Sequence, residues 1–156
     1  MLEILTSGDQ MIAIFIGATH SPEKTSFLTP LSEPIQLGIG VFKKGGCVEP
    51  HRHRGKAAVV EEFQEFIMVK RGKVIASVYD TSDTLLKEFE MGPGDSLLLL
   101  RGGHAFHFLE DTEFLELKQG PYLGRENMKT LINPRPVVEK PAVHQAVLGV
   151  ESTTRN

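Results

Sequence analysis

Two histidines separated by a single residue, His51 and His53, lie in the segment Pro50-His51-Arg52-His53. In an extended chain, residues two apart point to the same side, so the two imidazoles project next to each other. This is the geometry of a chelating pair, and imidazole nitrogens bind several divalent transition metals. The alternative is a solvated basic loop that includes Arg52 and Arg54. The spacing therefore indicates either a metal-ligand pair or an exposed loop.

A third group with metal-binding chemistry, Glu65, lies in the apolar segment Phe63-Gln-Glu-Phe-Ile-Met-Val-Lys70. Apolar residues stand at both alternating positions, which is typical of a strand covered on both faces. A carboxylate is costly to bury there unless it is paired with a base or bound to a cation. The pattern therefore predicts that Glu65 is a metal ligand, with a salt bridge to Arg or Lys, or a position on a solvated face, as the alternatives.

The segment from Gly92 to His107 ends in two further histidines. A Gly-Pro-Gly-Asp turn is followed by the apolar run 96–100, a Gly-Gly corner, His104 and His107. Residues three apart in a strand point to opposite faces, so at most one of the two faces inward. The residues alone leave open whether His104 or the alternative, His107, faces inward.

The first two segments resemble a motif of the cupins. That motif runs Gly, five residues, His-x-His, a gap, Glu, six residues and Gly. Gly45, His51 and His53 match its first part, and Glu65 and Gly72 match its second. The gap between the histidines and the glutamate is longer here than is usual in the family.

The second cupin motif runs Gly, five residues, Pro-x-Gly, two residues, His, three residues and Asn. Gly94 and Gly102 match its glycines, and His104 comes one residue earlier than the motif places it. Leu100 stands where the family has proline, and Phe108 stands where it has asparagine.

The resemblance implies an all-β fold, the double-stranded β-helix or jelly-roll barrel. It also implies that His51, His53, Glu65 and His104 bind one divalent metal ion inside the barrel. The ion would be Fe, Mn, Ni or Zn. Such a ligand set leaves coordination positions open for water or substrate, as catalytic metal sites do.

Four more residues are weaker candidates. Glu61 and Glu62 are rival ligands in the long gap, but neither has a glycine at the motif's distance. Arg101 would bind an anionic substrate, or else it lies at the surface. Tyr122, after the Gly-Pro turn that follows a predicted strand, would line the mouth of the barrel.

The elements that must position these residues are β-strands. Apolar or alternating runs of five to nine residues are separated by Gly, Pro, Asp and Ser, and no stretch keeps a helical apolar period over ten residues. This pattern predicts a sandwich or closed barrel. The predicted strands cover residues 11–16, 25–29, 35–43, 63–70, 73–80, 85–90, 96–100, 104–109, 112–119 and 128–132.

The length of 156 residues fits one compact domain with appended segments. Residues 1–44 are predicted to form N-terminal strands that pack on the barrel, and residues 45–132 its core. Residues 133–156 are predicted to be a partly disordered extension, because prolines interrupt it and its end is polar. The edge strands within residues 11–43 favour a homodimer.

Composition narrows the function classes. The net charge is −3 and the basic residues form no stripe, which argues against a nucleic-acid partner. The single cysteine, Cys47, excludes an intramolecular disulfide and favours a cytoplasmic protein. No run approaches the roughly 20 apolar residues of a membrane span, so no membrane partner is expected.

Three functions remain open. The first is a metal-dependent enzyme acting on a small molecule, such as an acid or a sugar, by oxygenase- or isomerase-like chemistry. The second is a metal-free nucleotide-sugar isomerase or epimerase, in which His104 or His53 is the acid or base with Tyr79 or Tyr122 as partner. The third is a module that binds or senses a small ligand without turnover.

Overall fold

The computed structural model describes residues 1–55, 57–121, 124 and 128–135. The described residues divide into two compact units. The first unit comprises Met1–His20 and the described residues from Glu62 onward, and the second comprises Ser21–Glu61.

The protein is all-β, with antiparallel sheets and almost no helix, which confirms the predicted class at that level. Nine of the ten predicted strands overlap a strand of the structure, although β3 and β4 are much shorter than predicted. The strand predicted at 128–132 is wrong, because no strand is formed there. Strands are β1 (Leu2–Ser7), β2 (Gln10–Ile16), β3 (Ser26–Phe27), β4 (Gly38–Ile39), β5 (Glu65–Arg71), β6 (Val74–Tyr79), β7 (Leu85–Met91), β8 (Ser96–Leu99), β9 (Gly103–Phe108) and β10 (Glu113–Lys118).

The sequence pattern missed β1. This strand forms a hairpin with β2 through the two-residue turn Gly8-Asp9, in which Gly8 has a φ of 55°. Its apolar and polar residues do not alternate cleanly, so its strand character comes from the ladder with β2 and not from local periodicity.

The first unit contains two sheets. The five-stranded sheet has the order β1-β2-β8-β5-β10, and the three-stranded sheet has the order β7-β6-β9. The inner faces of both sheets build one core, in which Phe15 of β2 stacks on Phe89 of β7 with ring centroids 4.4 Å apart. The connections β5–β6, β7–β8 and β8–β9 each pass from one sheet to the other.

Asp80 links β1 to the turn between β6 and β7. Its carboxylate accepts hydrogen bonds from the backbone N–H and hydroxyl of Ser82, from the N–H of Thr84 and from the hydroxyl of Ser7. Burial acts to raise the pKa of Asp80, but these hydrogen bonds outweigh burial and hold the pKa below its usual value. The ionised form is therefore the one that the fold requires.

Asp80→Ala is expected to destabilise the protein by about 2–4 kcal/mol, because it leaves several donors without their acceptor. Ser7→Ala removes one hydrogen bond and is expected to cost about 1 kcal/mol. Urea denaturation at neutral pH measures the free energy of unfolding of both variants. Equal losses would contradict the inference that Asp80 holds several hydrogen bonds of which Ser7 supplies one. Because the folded pKa is lowered, the contribution of Asp80 is present above the unfolded pKa, near 4, and is lost as the pH falls through the folded pKa.

The second unit is held together locally. Strands β3 and β4 pair over two residues each, and the Thr29 hydroxyl accepts a hydrogen bond from the N–H of Leu37 at 3.0 Å. The part of 40–61 that the structure describes contains no strand, so the sheet predicted to continue to residue 43 stops at Ile39. No helix in the described part of the chain is long and apolar enough to cross a membrane.

Candidate functional site

Glu65 and His104 are brought together on the inner side of the first unit. Glu65 is the first residue of β5 and shares its face with the buried Ile67, while His104 is the second residue of β9 and pairs with the buried Val78. Because β5 and β9 belong to different sheets, their inward-pointing residues face each other across the core. Strand parity therefore places both side chains where the sequence analysis predicted.

The two side chains are in contact. Glu65 Oε2 lies 3.3 Å from His104 Nε2, and the side chains are only 14% and 26% exposed. The imidazole also lies against the ring of Phe106, with centroids 5.3 Å apart. A carboxylate and an imidazole thus converge at one edge of an apolar core.

Two residues of β10 complete the cluster. Glu116 and Lys118 point to the same face as Glu65, since Lys118 is the direct cross-strand partner of Glu65 in the ladder. The Lys118 ammonium lies 3.7 Å from Glu65 Oε1 and forms a closer ion pair with Glu116. The carboxyl groups of Glu65 and Glu116 are hydrogen-bonded to each other. We call Glu65, His104, Glu116 and Lys118 the inner polar cluster.

The pKa values of the two carboxyl groups are displaced in opposite directions. Burial raises the pKa of Glu65, and the hydrogen bond and negative charge of Glu116 raise it further, against the smaller effects of Lys118 and Lys129. By contrast, the pKa of Glu116 is lowered, mainly by the hydrogen bond that Glu116 accepts from Lys118. Of the two carboxyl groups, Glu65 is therefore the one that its surroundings make harder to ionise, while Glu116 is held ionised by Lys118.

Burial lowers the pKa of His104, and the positive charges of Lys129 and Lys118 act in the same direction. The contact with Glu65 is therefore made by a neutral imidazole and is not an ion pair. A neutral imidazole can bind a metal or accept a proton, which are the two chemistries open to this residue.

The histidine pair lies in the second unit. His51 and His53 are both exposed, their ring centroids are 5.0 Å apart, and the rings meet edge to face. His51 Nδ1 lies 2.8 Å from the carbonyl oxygen of Glu49. The rings are thus neighbours, as the spacing predicted, within a segment that is not a regular strand.

The remaining sequence candidates have other surroundings. His107 lies on the opposite face of β9 from His104 and is exposed. Arg101 donates a hydrogen bond to the backbone oxygen of Met11, so its guanidinium holds β2. Glu62 accepts a long hydrogen bond, 3.4 Å, from the N–H of Gly102, and Glu61 is exposed. Tyr122 lies outside the described residues.

Sequence reasoning missed Glu116 and Lys118. Their strand reads Phe114-Leu-Glu-Leu-Lys118, so the two leucines stand on one face and the charged residues on the other. The usual inference buries the leucines, but Leu115 and Leu117 are 52% and 61% exposed. Phe114, on the same face as the charges and packed on the core, was the available signal.

No three His, Cys, Asp or Glu side chains within the described residues are grouped so that they could hold a metal ion. Glu65 and His104 have the right chemistry and proximity for two ligands of a divalent transition metal. The position next to Glu65 and Glu116 is taken by the ammonium of Lys118.

The fold and this cluster define the class no further than an all-β protein of antiparallel sheets with a carboxylate–imidazole pair at one edge of its core. Comparison of the chain with models of known protein families, with curated proteins and with solved structures finds no match.

Proposed function

We propose that this chain is a cupin-like protein that binds a divalent metal ion through Glu65 and His104 and acts on a small molecule. The observation that carries the proposal is the 3.3 Å approach of Glu65 Oε2 to His104 Nε2. Both residues are ligands that the resemblance to the cupin motifs implies, Glu65 from the first motif and His104 from the second.

The strand pairing supports the double-stranded β-helix part of the proposal. In such a fold an antiparallel ribbon winds so that successive strand pairs alternate between two sheets. Here the hairpin β6–β7 lies in the three-stranded sheet and the next pair outward, β5–β8, lies in the five-stranded sheet. Strands β9 and β10 continue the same alternation.

The donor chemistry supports the metal part. His104 is held neutral, as a metal-bound imidazole must be, and Glu65 supplies a negative oxygen once its proton leaves. A divalent ion would polarise a carbonyl or carboxylate oxygen of the substrate. The metal would be Fe, Mn, Ni or Zn, since these accept imidazole and carboxylate together.

The sequence prediction that His51 and His53 bind the same ion stays a prediction. Purified wild-type protein is expected to take up about one equivalent of one of these metals after incubation with each in turn, by analogy with other mononuclear sites. The double variant His51→Ala/His53→Ala is expected to lose that metal and keep its circular dichroism spectrum. Elemental analysis after desalting measures both proteins. A wild-type protein that holds no metal under any of these conditions would overturn the proposal.

A second candidate function is metal-free acid–base catalysis. The hydrogen-bonded pair of Glu65 and Glu116, with pKa values displaced in opposite directions, favours it, because such pairs divide the roles of acid and base. His104 would then act as the neutral base. Isomerisation of a small sugar by metal-free protein, with no change on adding metal, would identify this function. The predictions of a homodimer and of a small-molecule partner apply to both candidate functions.

A further inference from the structure

We propose that Lys118 is a built-in competitor of the metal: its ammonium holds the carboxylates of Glu65 and Glu116 until a divalent ion displaces it, and it thereby weakens the binding of that ion. This inference rests on the proposed function. It assigns to Lys118 a role that is neither ligand nor acid–base catalyst.

The contacts carry the argument. Lys118 Nζ lies 3.7 Å from Glu65 Oε1 and is also ion-paired with Glu116, so one ammonium bridges both carboxyl groups. The opposite oxygen of Glu65, Oε2, faces His104. The carboxylate that would bind the metal is therefore shared between an imidazole on one side and a fixed positive charge on the other.

Burial makes this competition matter. The Lys118 side chain is 22% exposed, and Glu65 is less exposed still. Charges separated by a few ångströms interact more strongly there than in bulk water, so a divalent ion next to Glu65 would be repelled by the ammonium unless Lys118 moved away. Lys118 is the last residue of β10, and its four-carbon stem has the reach to leave.

The other end of the same strand pair offers a matched control. Lys70 of β5 and Glu113 of β10 form an ion pair whose side chains are 44% and 54% exposed. Removing Lys70 changes the net charge by the same amount as removing Lys118. The ion partner of Lys70 is Glu113, not a residue of the inner polar cluster. An effect seen in the Lys118 variant but not in the Lys70 variant therefore arises in the inner polar cluster.

The test compares metal-free wild-type protein with Lys118→Met and Lys70→Met by calorimetric titration with Mn²⁺ and Zn²⁺. Lys118→Met is expected to lower the Kd by about tenfold or more, because a positive charge near the ion is removed. Its melting temperature is also expected to rise more on adding the metal than that of the wild type, since tighter binding stabilises the folded state more. Lys70→Met is expected to behave as the wild type. Lys118→Gln serves as a second variant with a polar side chain, should the methionine variant fail to fold.

The outcomes separate this inference from the proposed function. Binding by the wild type and tighter binding by the Lys118 variants would support both. Binding by the Lys118 variants alone would support the competitor role and overturn metal binding as the native function. Equal or weaker binding by the Lys118 variants would overturn the competitor role and leave the proposed function intact. No binding by any protein would overturn both.

Discussion

Glu65→Gln is expected to lower the affinity for a divalent metal by about a hundredfold or more while leaving the protein folded. The loss follows from chemistry, because an amide carries no negative charge with which to bind the ion. The fold is kept because glutamine has nearly the same shape as glutamate and its amide group can donate a hydrogen bond to the Glu116 carboxylate.

A measurement of stability shows whether Glu65→Gln loses the metal because it lacks the ligand or because it misfolds. Burial raises the pKa of Glu65, so its ionisation lowers the stability of the fold as the pH rises from the unfolded value, near 4.3, through the folded pKa. Glutamine does not ionise, so we expect the variant to be at least as stable as the wild type at neutral pH. Thermal denaturation and metal titration on the same sample measure the two effects.

His104→Ala is expected to lose the metal as well, and His107→Ala is the matched control. Both histidines lie on β9, but His107 is exposed on the opposite face. Metal loss in His107→Ala, with metal retained in His104→Ala and both proteins folded, would reverse the assignment that parity and contact with Glu65 support.

Gly102→Ala is expected to destabilise the protein by about 3 kcal/mol or more, because it combines backbone strain with overlap. Gly102 has a φ of 78°, and a Cβ there would overlap the backbone oxygen of Tyr79 and lie 3.1 Å from the carbonyl carbon of Asp80. A backbone movement that relieves this overlap would shift the start of β9. Because β9 carries His104, the metal affinity is expected to fall together with the stability.

Gly8→Ala provides the control for Gly102→Ala. Gly8 also has a positive φ, 55°, but nothing lies within 4 Å of a Cβ built on it. Only the cost of the left-handed conformation applies, about 1 kcal/mol. Equal losses in the two variants, measured by urea denaturation, would show that crowding at the β8–β9 corner contributes nothing.

The strands and turns could be predicted from the sequence because their signals are local. The turn Gly92-Pro93-Gly94-Asp95 and the apolar run at 96–100 each specify their conformation within a few residues. The prediction failed for β1 and for 128–132, where local pattern and long-range pairing disagree. Strand β1 exists because β2 offers it a ladder.

The candidate site was predictable only in part. Glu65 stood out because a carboxylate interrupts an apolar strand, and His104 because it follows a glycine corner. Glu116 and Lys118 did not stand out, since alternating leucines and charges in β10 indicate a solvated polar face. The cost of placing those charges on this face is offset because Glu116 and Lys118 pair with each other and Lys118 also pairs with Glu65 of β5, and the contact with β5 is not contained in a sequence pattern.

By itself, the sequence determined the all-β class, most strand positions, and the residue types able to bind a metal. The tertiary structure decided which face of β9 turns inward, and that Glu65, His104, Glu116 and Lys118 meet. The physical reason is that strand parity relates residues only within one strand. The contact between Glu65 and His104 joins two sheets, and it exists only because the connections between successive strands pass from one sheet to the other.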